Sequence, residues 1–294
     1  MKHPVFTGCA TALVTPFTSD DHVNFDTLAK MIDFQIEGGV KALVMCGTTG
    51  EAATMSDDER AAVVEFTVNR VAGRIPVIAG TGTNDTKRAI WLSDRAKESG
   101  ADALLVVTPY YNKCSQRGLI KYYLDIADST DLPIIAYNVP SRTAVNLLPA
   151  SFARIAEHPN VVGIKEACGE ISQIMDLMRL CPETDLYSGN DDQVLPIMAC
   201  GGRGVISTIS NIMPRAMTEL CEAFLNGDVA ECRRLQFYIN PLVKVLFSDV
   251  NPIPVKTAYR HMGFDVGGLR GPLCDMSPDG EKVLVEKMKE YMLI

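Results

Sequence analysis

A lysine stands in this 294-residue chain where a lysine is expensive. Lys165 lies inside the apolar run VVGIKEA, 161–167. An ammonium buried in such a run is costly unless it is paired or neutralised. Burial lowers the pKa of the amine and frees a nucleophile near neutral pH. The other reading is a lysine at a strand end whose head reaches solvent or a carboxylate, and position alone leaves both open. Glu166 follows directly, so on a strand it points to the opposite face and is a poor direct partner.

Other groups able to do chemistry cluster at similar points. Tyr137, in YNVP at 137–140, lies near the end of the preceding apolar run and can sit beside Lys165. A phenol there moves protons to and from a carbonyl, or it simply fills the rim as an amphipathic ring. Thr48 and Thr49, in GTTGE at 47–51, offer hydroxyls and backbone N–H groups to a carboxylate; a plain turn explains them too. Tyr110 and Tyr111 form a pair suited to a site or to an interface. Arg142, just past a Pro-Ser turn, can grip a carboxylate bidentately or be a solvated surface arginine. The four histidines, at positions 3, 22, 158 and 261, are dispersed without zinc spacing. There is no P-loop, no G-x-G-x-x-G after the first strand and no G-x-S-x-G elbow. GGRG at 201–204 fits a phosphate or tight packing equally well.

These residues need a scaffold that brings distant loops together. Apolar runs at 9–17, 42–47, 76–82, 101–109, 133–140, 161–167, 185–190 and 204–210 read as strands. Several are nearly continuous in hydrophobicity, as parallel strands covered on both faces are. Helical segments alternate with them at 26–38, 56–71, 86–100, 116–129, 149–158, 171–180, 194–199 and 214–226. S-D-D-E at 56–59 is a capping-box pattern, and Pro214 suits a first turn. Eight β-then-α units predict a closed (β/α)₈ TIM barrel spanning 1–227, with an open doubly wound sheet as the fallback. Segments 228–247, 253–262 and 277–292 then read as a C-terminal helical extension, 228–294. A barrel gathers its functional side chains at the C-terminal strand ends, where Thr48, Tyr110, Tyr137, Lys165, Gly189 and Ser207 fall.

Composition narrows the classes further. Hydrophobic residues make up 47%, enough for a large core. A net charge of −8 argues against nucleic acid as a partner. No apolar run approaches the length of a membrane span, and MKHPVFTGCA lacks a secretory h-region. Nine scattered cysteines without a C-x-x-C pair fit reduced thiols in a cytoplasmic protein, with Cys46, Cys168 and Cys200 as packing groups.

The set GTTGE (47–51), TPYYN (108–112), YNVP (137–140) and GIKE (163–166) resembles the dihydrodipicolinate synthase / N-acetylneuraminate lyase family. The resemblance runs over essentially the whole chain, in order and with matching spacing. It implies a lyase of the class I Schiff-base aldolase type, in which Lys165 forms an imine with pyruvate. It implies a proton relay of Tyr137, Thr48 and Tyr111, with Tyr111 reaching a neighbouring subunit's site in a homotetramer of two tight dimers. Thr49 would bind the pyruvate carboxylate, and Gly189 and Ile206 would line the pocket with their carbonyls near the second substrate. Two features favour the synthase branch: the second threonine of GTTGE, and Arg142, which looks like the arginine that holds the carboxylate of L-aspartate-4-semialdehyde. The expected product is 4-hydroxy-tetrahydrodipicolinate, on the route to diaminopimelate and lysine, with no metal or organic cofactor. The alternatives are an N-acetylneuraminate or 2-keto-3-deoxy-sugar-acid lyase with the same lysine chemistry, and a non-catalytic small-molecule-binding barrel.

The chain departs from the pattern of lysine-inhibited members. Asn84 and Tyr110 keep their types, but Ala52 replaces a serine, Asp57 and Arg60 stand at histidine positions, and Arg88 stands at a glutamate position. An arginine there repels the ammonium of lysine, so weak or absent lysine feedback is expected.

Overall fold

A computed structural model describes residues 4–294; His3 lies outside the described residues. Eight strands follow one another around a closed, all-parallel barrel. They are β1 (Gly8–Ala12), β2 (Ala42–Met45), β3 (Val77–Gly80), β4 (Ala103–Val107), β5 (Ile134–Asn138), β6 (Val161–Glu166), β7 (Asp185–Ser188) and β8 (Gly204–Ser207). The closing pair sets Ala10 opposite Ile206. The helices are α1 (Phe25–Glu37), α2 (Asp57–Val71), α3 (Thr86–Glu98), α4 (Gln116–Ser129), α5 (Pro140–Thr143), α6 (Pro149–Ala156), α7 (Ile171–Leu180), α8 (Val194–Ala199) and α9 (Pro214–Leu225). Three more follow without an intervening strand: α10 (Val229–Leu246), α11 (Ile253–His261) and α12 (Pro278–Glu290). The eight predicted βα units are therefore present, and the open-sheet fallback is not what forms.

Local chemistry explains the starts of several helices. Ser56 and Glu59 form the reciprocal capping box that S-D-D-E predicts, and Pro214 opens α9. Strands are shorter at their C-terminal ends than the apolar runs suggest. The run 9–17 stays in the barrel strand only as far as Ala12, with the Leu13 N–H still donating to the Val44 carbonyl. Beyond it, Val14 donates to the Asn211 side chain and Thr15 to the Gly50 carbonyl. These residues stay buried under loops and C-terminal helices, so their composition looks strand-like while their backbone has left the ladder. The short α5 was not expected from sequence; at four residues it is too brief for periodicity to reveal.

The core has two layers. The larger lies between the barrel wall and the helices. The smaller fills the barrel itself, where Ala10, Ala12, Ala42 and Ala103 leave room for Ile135, Tyr137 and Tyr187. Phe6 stacks on Tyr187 with ring centroids 4.2 Å apart, and the Tyr187 hydroxyl donates to the Phe6 carbonyl at 2.8 Å. This pair plugs the N-terminal mouth. GGRG enters β8 at that same end, where a Cβ on Gly204 would lie 1.8 Å from the Gly8 carbonyl oxygen. Close packing accounts for this glycine run. α10 packs on α8 and α9, while α12 bridges α10 and α11.

Candidate active site

The register of β5 and β6 sets Tyr137 opposite Lys165 and Asn138 opposite Glu166. Strand alternation then separates two environments. Tyr137 and Lys165 face the barrel interior, where the Lys165 Nζ lies 4.4 Å from the Tyr137 ring centroid. Asn138 and Glu166 face the helices. The Asn138 Nδ2 donates to both Glu166 carboxylate oxygens at 3.0 and 3.1 Å, and the Cys168 N–H donates at 2.8 Å. Glu166 is therefore not the partner of Lys165, as the alternation predicts.

Lys165 is only 5% exposed. Burial lowers its pKa from 10.5 to about 8; the Asp191 carboxylate opposes that shift and the Arg142 guanidinium adds to it. Asp191 is itself buried, and one carboxylate oxygen accepts the N–H groups of Thr208 and Ile209 at 3.0 and 2.9 Å. Burial also pushes the Tyr137 phenol up to about 12, with Arg142 acting in the opposite sense. Tyr137 is thus a protonated donor at neutral pH, beside an amine that burial brings closer to its neutral form.

Lys165 lines an inner chamber of about 170 Å³, with Thr48, Thr49, Gly189, Asn190 and Arg142 also on its wall. Tyr137, Thr48 and Arg142 also line an adjoining outer cleft of about 340 Å³. Gly189 is required by close approach: a Cβ there would lie 2.7 Å from the Ala167 Cβ and 3.2 Å from the Lys165 Cε. On the loop after β2, the Glu51 N–H donates to the Thr48 carbonyl and Gly50 N–H to the Gly47 carbonyl. Thr48 is exposed into the chamber mouth, while Thr49 is buried. Arg142, the third residue of α5, donates to the Asn251 carbonyl at 3.2 Å. The Asn251 side chain donates to the Thr49 Oγ1 at 2.9 Å. The Asn251 Oδ1 is buried with no hydrogen-bond partner.

Not every expected residue falls in this chamber. Ile206 is buried in the inner barrel core and is absent from the chamber wall, so its side chain does not line the pocket. Tyr111 is 91% exposed, with a left-handed φ of 68°, and lines neither cavity in the single chain. Among the described residues no direct hydrogen bond links Tyr137, Thr48 and Lys165. Asn251 and Asp191 were missed by sequence reasoning. Asn251 lies in DVNP ahead of α11, and an asparagine before a proline carries only a turn signal. Asp191 follows the β7 strand end and was open to detection by the same survey of strand ends that found Gly189.

The residues at the altered effector positions also have partners. The Arg88 Nη2 donates to the Asp57 Oδ1 at 2.8 Å. Arg60 is buried and donates to the Gly80 carbonyl at 2.7 Å. The Asn84 carbonyl accepts from the Asn112 side chain at 2.9 Å, and Tyr110 lines the outer cleft with Ala52. All nine cysteines are free. Among the described residues no group of three or more His, Cys, Asp or Glu side chains is placed to hold a metal ion. Among the described residues no helix is long and apolar enough to cross a membrane.

The arrangement can hold a small keto acid against a neutral amine and pass protons beside it. Comparison with known proteins agrees in kind. Residues 5–291 match the model of the dihydrodipicolinate synthetase family. A 4-hydroxy-tetrahydrodipicolinate synthase of Caldicellulosiruptor bescii is 50% identical over 98% of this chain and 97% of its own length. One from Acetivibrio thermocellus is 48% identical, with the whole of both chains covered. The crystal structure of dihydrodipicolinate synthase from Aquifex aeolicus superposes with a TM-score of 0.96 at 44% identity, covering 98% of this chain and 99% of that one.

Proposed function

The chain belongs to the dihydrodipicolinate synthetase family, and from that premise we propose that it is a 4-hydroxy-tetrahydrodipicolinate synthase, a lyase condensing pyruvate with L-aspartate-4-semialdehyde through a Lys165 imine. The observation that carries this reading is a buried lysine, held near a pKa of about 8, whose amine lies over Tyr137 at the base of a chamber rimmed by Thr49 and Arg142.

The neutral Lys165 amine attacks the keto carbon of pyruvate. Tyr137 gives a proton to the carbinolamine oxygen, which leaves as water. Thr49 holds the pyruvate carboxylate by its hydroxyl and N–H. The protonated imine draws electrons from the methyl group, so a proton leaves and an enamine forms. The enamine carbon bonds to the aldehyde carbon of the second substrate, whose carboxylate Arg142 grips. That substrate's amine then displaces Lys165, closing a six-membered ring. Net, two substrates give 4-hydroxy-tetrahydrodipicolinate and one water. The imine itself is the electron sink, so the reaction calls for no metal or organic cofactor. Thr48 and a neighbouring subunit's Tyr111 complete the relay, in a homotetramer working in the cytoplasm. The Gly189 carbonyl faces the second substrate.

Trapping with borohydride tests this directly. Pyruvate plus borohydride leaves a reduced adduct on the wild-type protein, read by mass spectrometry, and none on Lys165→Ala. A wild-type protein without adduct sinks the reading. Arg142→Ala sets the synthase apart from a sugar-acid lyase: turnover with the semialdehyde falls roughly a hundredfold while pyruvate trapping stays near wild type. Equal loss of both counts against the assigned second substrate.

A further inference from the structure

α11 lies outside the barrel, yet it meets the catalytic loop at two points. Asn251, just ahead of it, donates to Thr49 and accepts from Arg142. Lys256, one turn in, donates to the Glu51 Oε1 at 2.7 Å, and both side chains are 1% exposed. The Glu51 Oε2 accepts the Arg270 N–H at 3.0 Å. Glu51 stands in the left-handed region, at φ 55°, two residues after Thr49. Its carboxylate therefore ties a strained turn to α11 and to the loop that follows it. Phe17 completes the enclosure: the Lys256 Nζ and the Arg270 Cζ each lie 4.1 Å from its ring centroid.

A fully buried ion pair is a poor source of net stability, because desolvation cancels most of the attraction. It does resist sliding. Apolar surfaces tolerate a small shift, whereas a shifted pair leaves two charges unsolvated. We propose that the Lys256–Glu51 pair is the positioning contact that sets Thr49 and Arg142, the two carboxylate-binding groups, at their working distance from Lys165. Asn251 is the shared link, since it touches both and is fixed by the helix that Lys256 anchors. This inference rests on the imine reading above, and it assigns Lys256 and Glu51 to positioning, with no contact to substrate.

The test is a pyruvate titration of the borohydride-trapped adduct on the full-length protein, well below its melting temperature. In Lys256→Met the half-saturating pyruvate concentration rises roughly tenfold or more, and the KM for L-aspartate-4-semialdehyde rises with it. The same substitution is then made in a Thr49→Val background. If the pair acts through Thr49, its further effect on pyruvate there shrinks to about threefold or less. A half-saturation within about twofold of wild type overturns the proposal, as does an equal factor in both backgrounds, which marks a general structural role. Should Lys256→Met fail to accumulate folded, Glu51→Gln keeps the side chain's shape and carries the same comparison. A wild-type protein with no adduct removes the imine reading and this inference together. An adduct on wild type with unshifted variants removes the inference alone.

Discussion

At the scale of single residues, the fold carries a cost in order to keep Lys165 reactive. Its pKa falls from 10.5 to about 8 because burial disfavours the ammonium, which corresponds to about 3 kcal/mol. Below pH 8 the lysine is protonated in both folded and unfolded states, and the fold bears the whole cost. Between about 8 and 10.5 the unfolded chain holds a proton that the native state has released, so this group's contribution to stability rises with pH. Lys165→Met accordingly stabilises the protein at pH 7, by up to about 3 kcal/mol in chemical denaturation, and flattens that pH dependence. The catalytic counterpart has the same origin: at subsaturating pyruvate, the rate of adduct formation climbs through pH 8 and levels above it. Much of this scale is legible in the sequence, since a lysine inside VVGIKEA is anomalous on its face. Asn251 is not, because its contact with Thr49 spans 202 residues of chain and no local pattern encodes it.

Elements decide whether those residues meet. β5 and β6 hold Tyr137 beside Lys165 on one face by fixing Asn138 against Glu166 on the other. Glu166 is a buried carboxyl whose pKa is raised by burial, the Asn138 amide and the Cys168 N–H working against that rise. Glu166→Ala orphans both donors and opens a void, and denaturation shows a loss of about 2–4 kcal/mol. Glu166→Gln keeps the side chain's volume and part of the bonding, and loses less. The eight strands could be read from alternating apolar and helical segments, because parallel strands covered on both faces are apolar throughout. Their ends could not. The residues past Ala12 in the first run stay buried after leaving the sheet, and burial is what composition reports. The short α5 escapes for the opposite reason, since four residues carry no period.

On the scale of the whole molecule, two expectations concern what lies beyond one active site. The outer cleft holds Tyr110 and Ala52, with the Arg88–Asp57 ion pair at 2.8 Å and the buried Arg60 nearby. Two arginines in that region disfavour a second ammonium. Millimolar L-lysine therefore inhibits the purified enzyme weakly or not at all; strong inhibition would refute this. Tyr111 points the other way, outward, and is 91% exposed. If it serves a neighbour's relay, mixed subunits rescue one another. Lys165→Ala and Tyr111→Phe chains, each impaired alone, recover roughly a quarter of wild-type activity when refolded together as two-fold dimers. No recovery would confine the relay to one chain. Such cross-subunit roles are legible only through family resemblance, because nothing in one chain's own packing requires them.

The stacked Phe6 and Tyr187 at the N-terminal mouth bear on traffic as much as on packing. With that end stoppered, the chamber behaves as a flask with one neck. On the proposed reading pyruvate sits deepest, on Lys165, and has to arrive before the semialdehyde occupies the neck at Arg142. An early semialdehyde is a cork, and excess of it slows the reaction until it backs out. The finished ring departs through the same opening, and only its departure readmits pyruvate. On that reading the order of binding follows from the closed base of the barrel, far from any group that touches the reacting atoms.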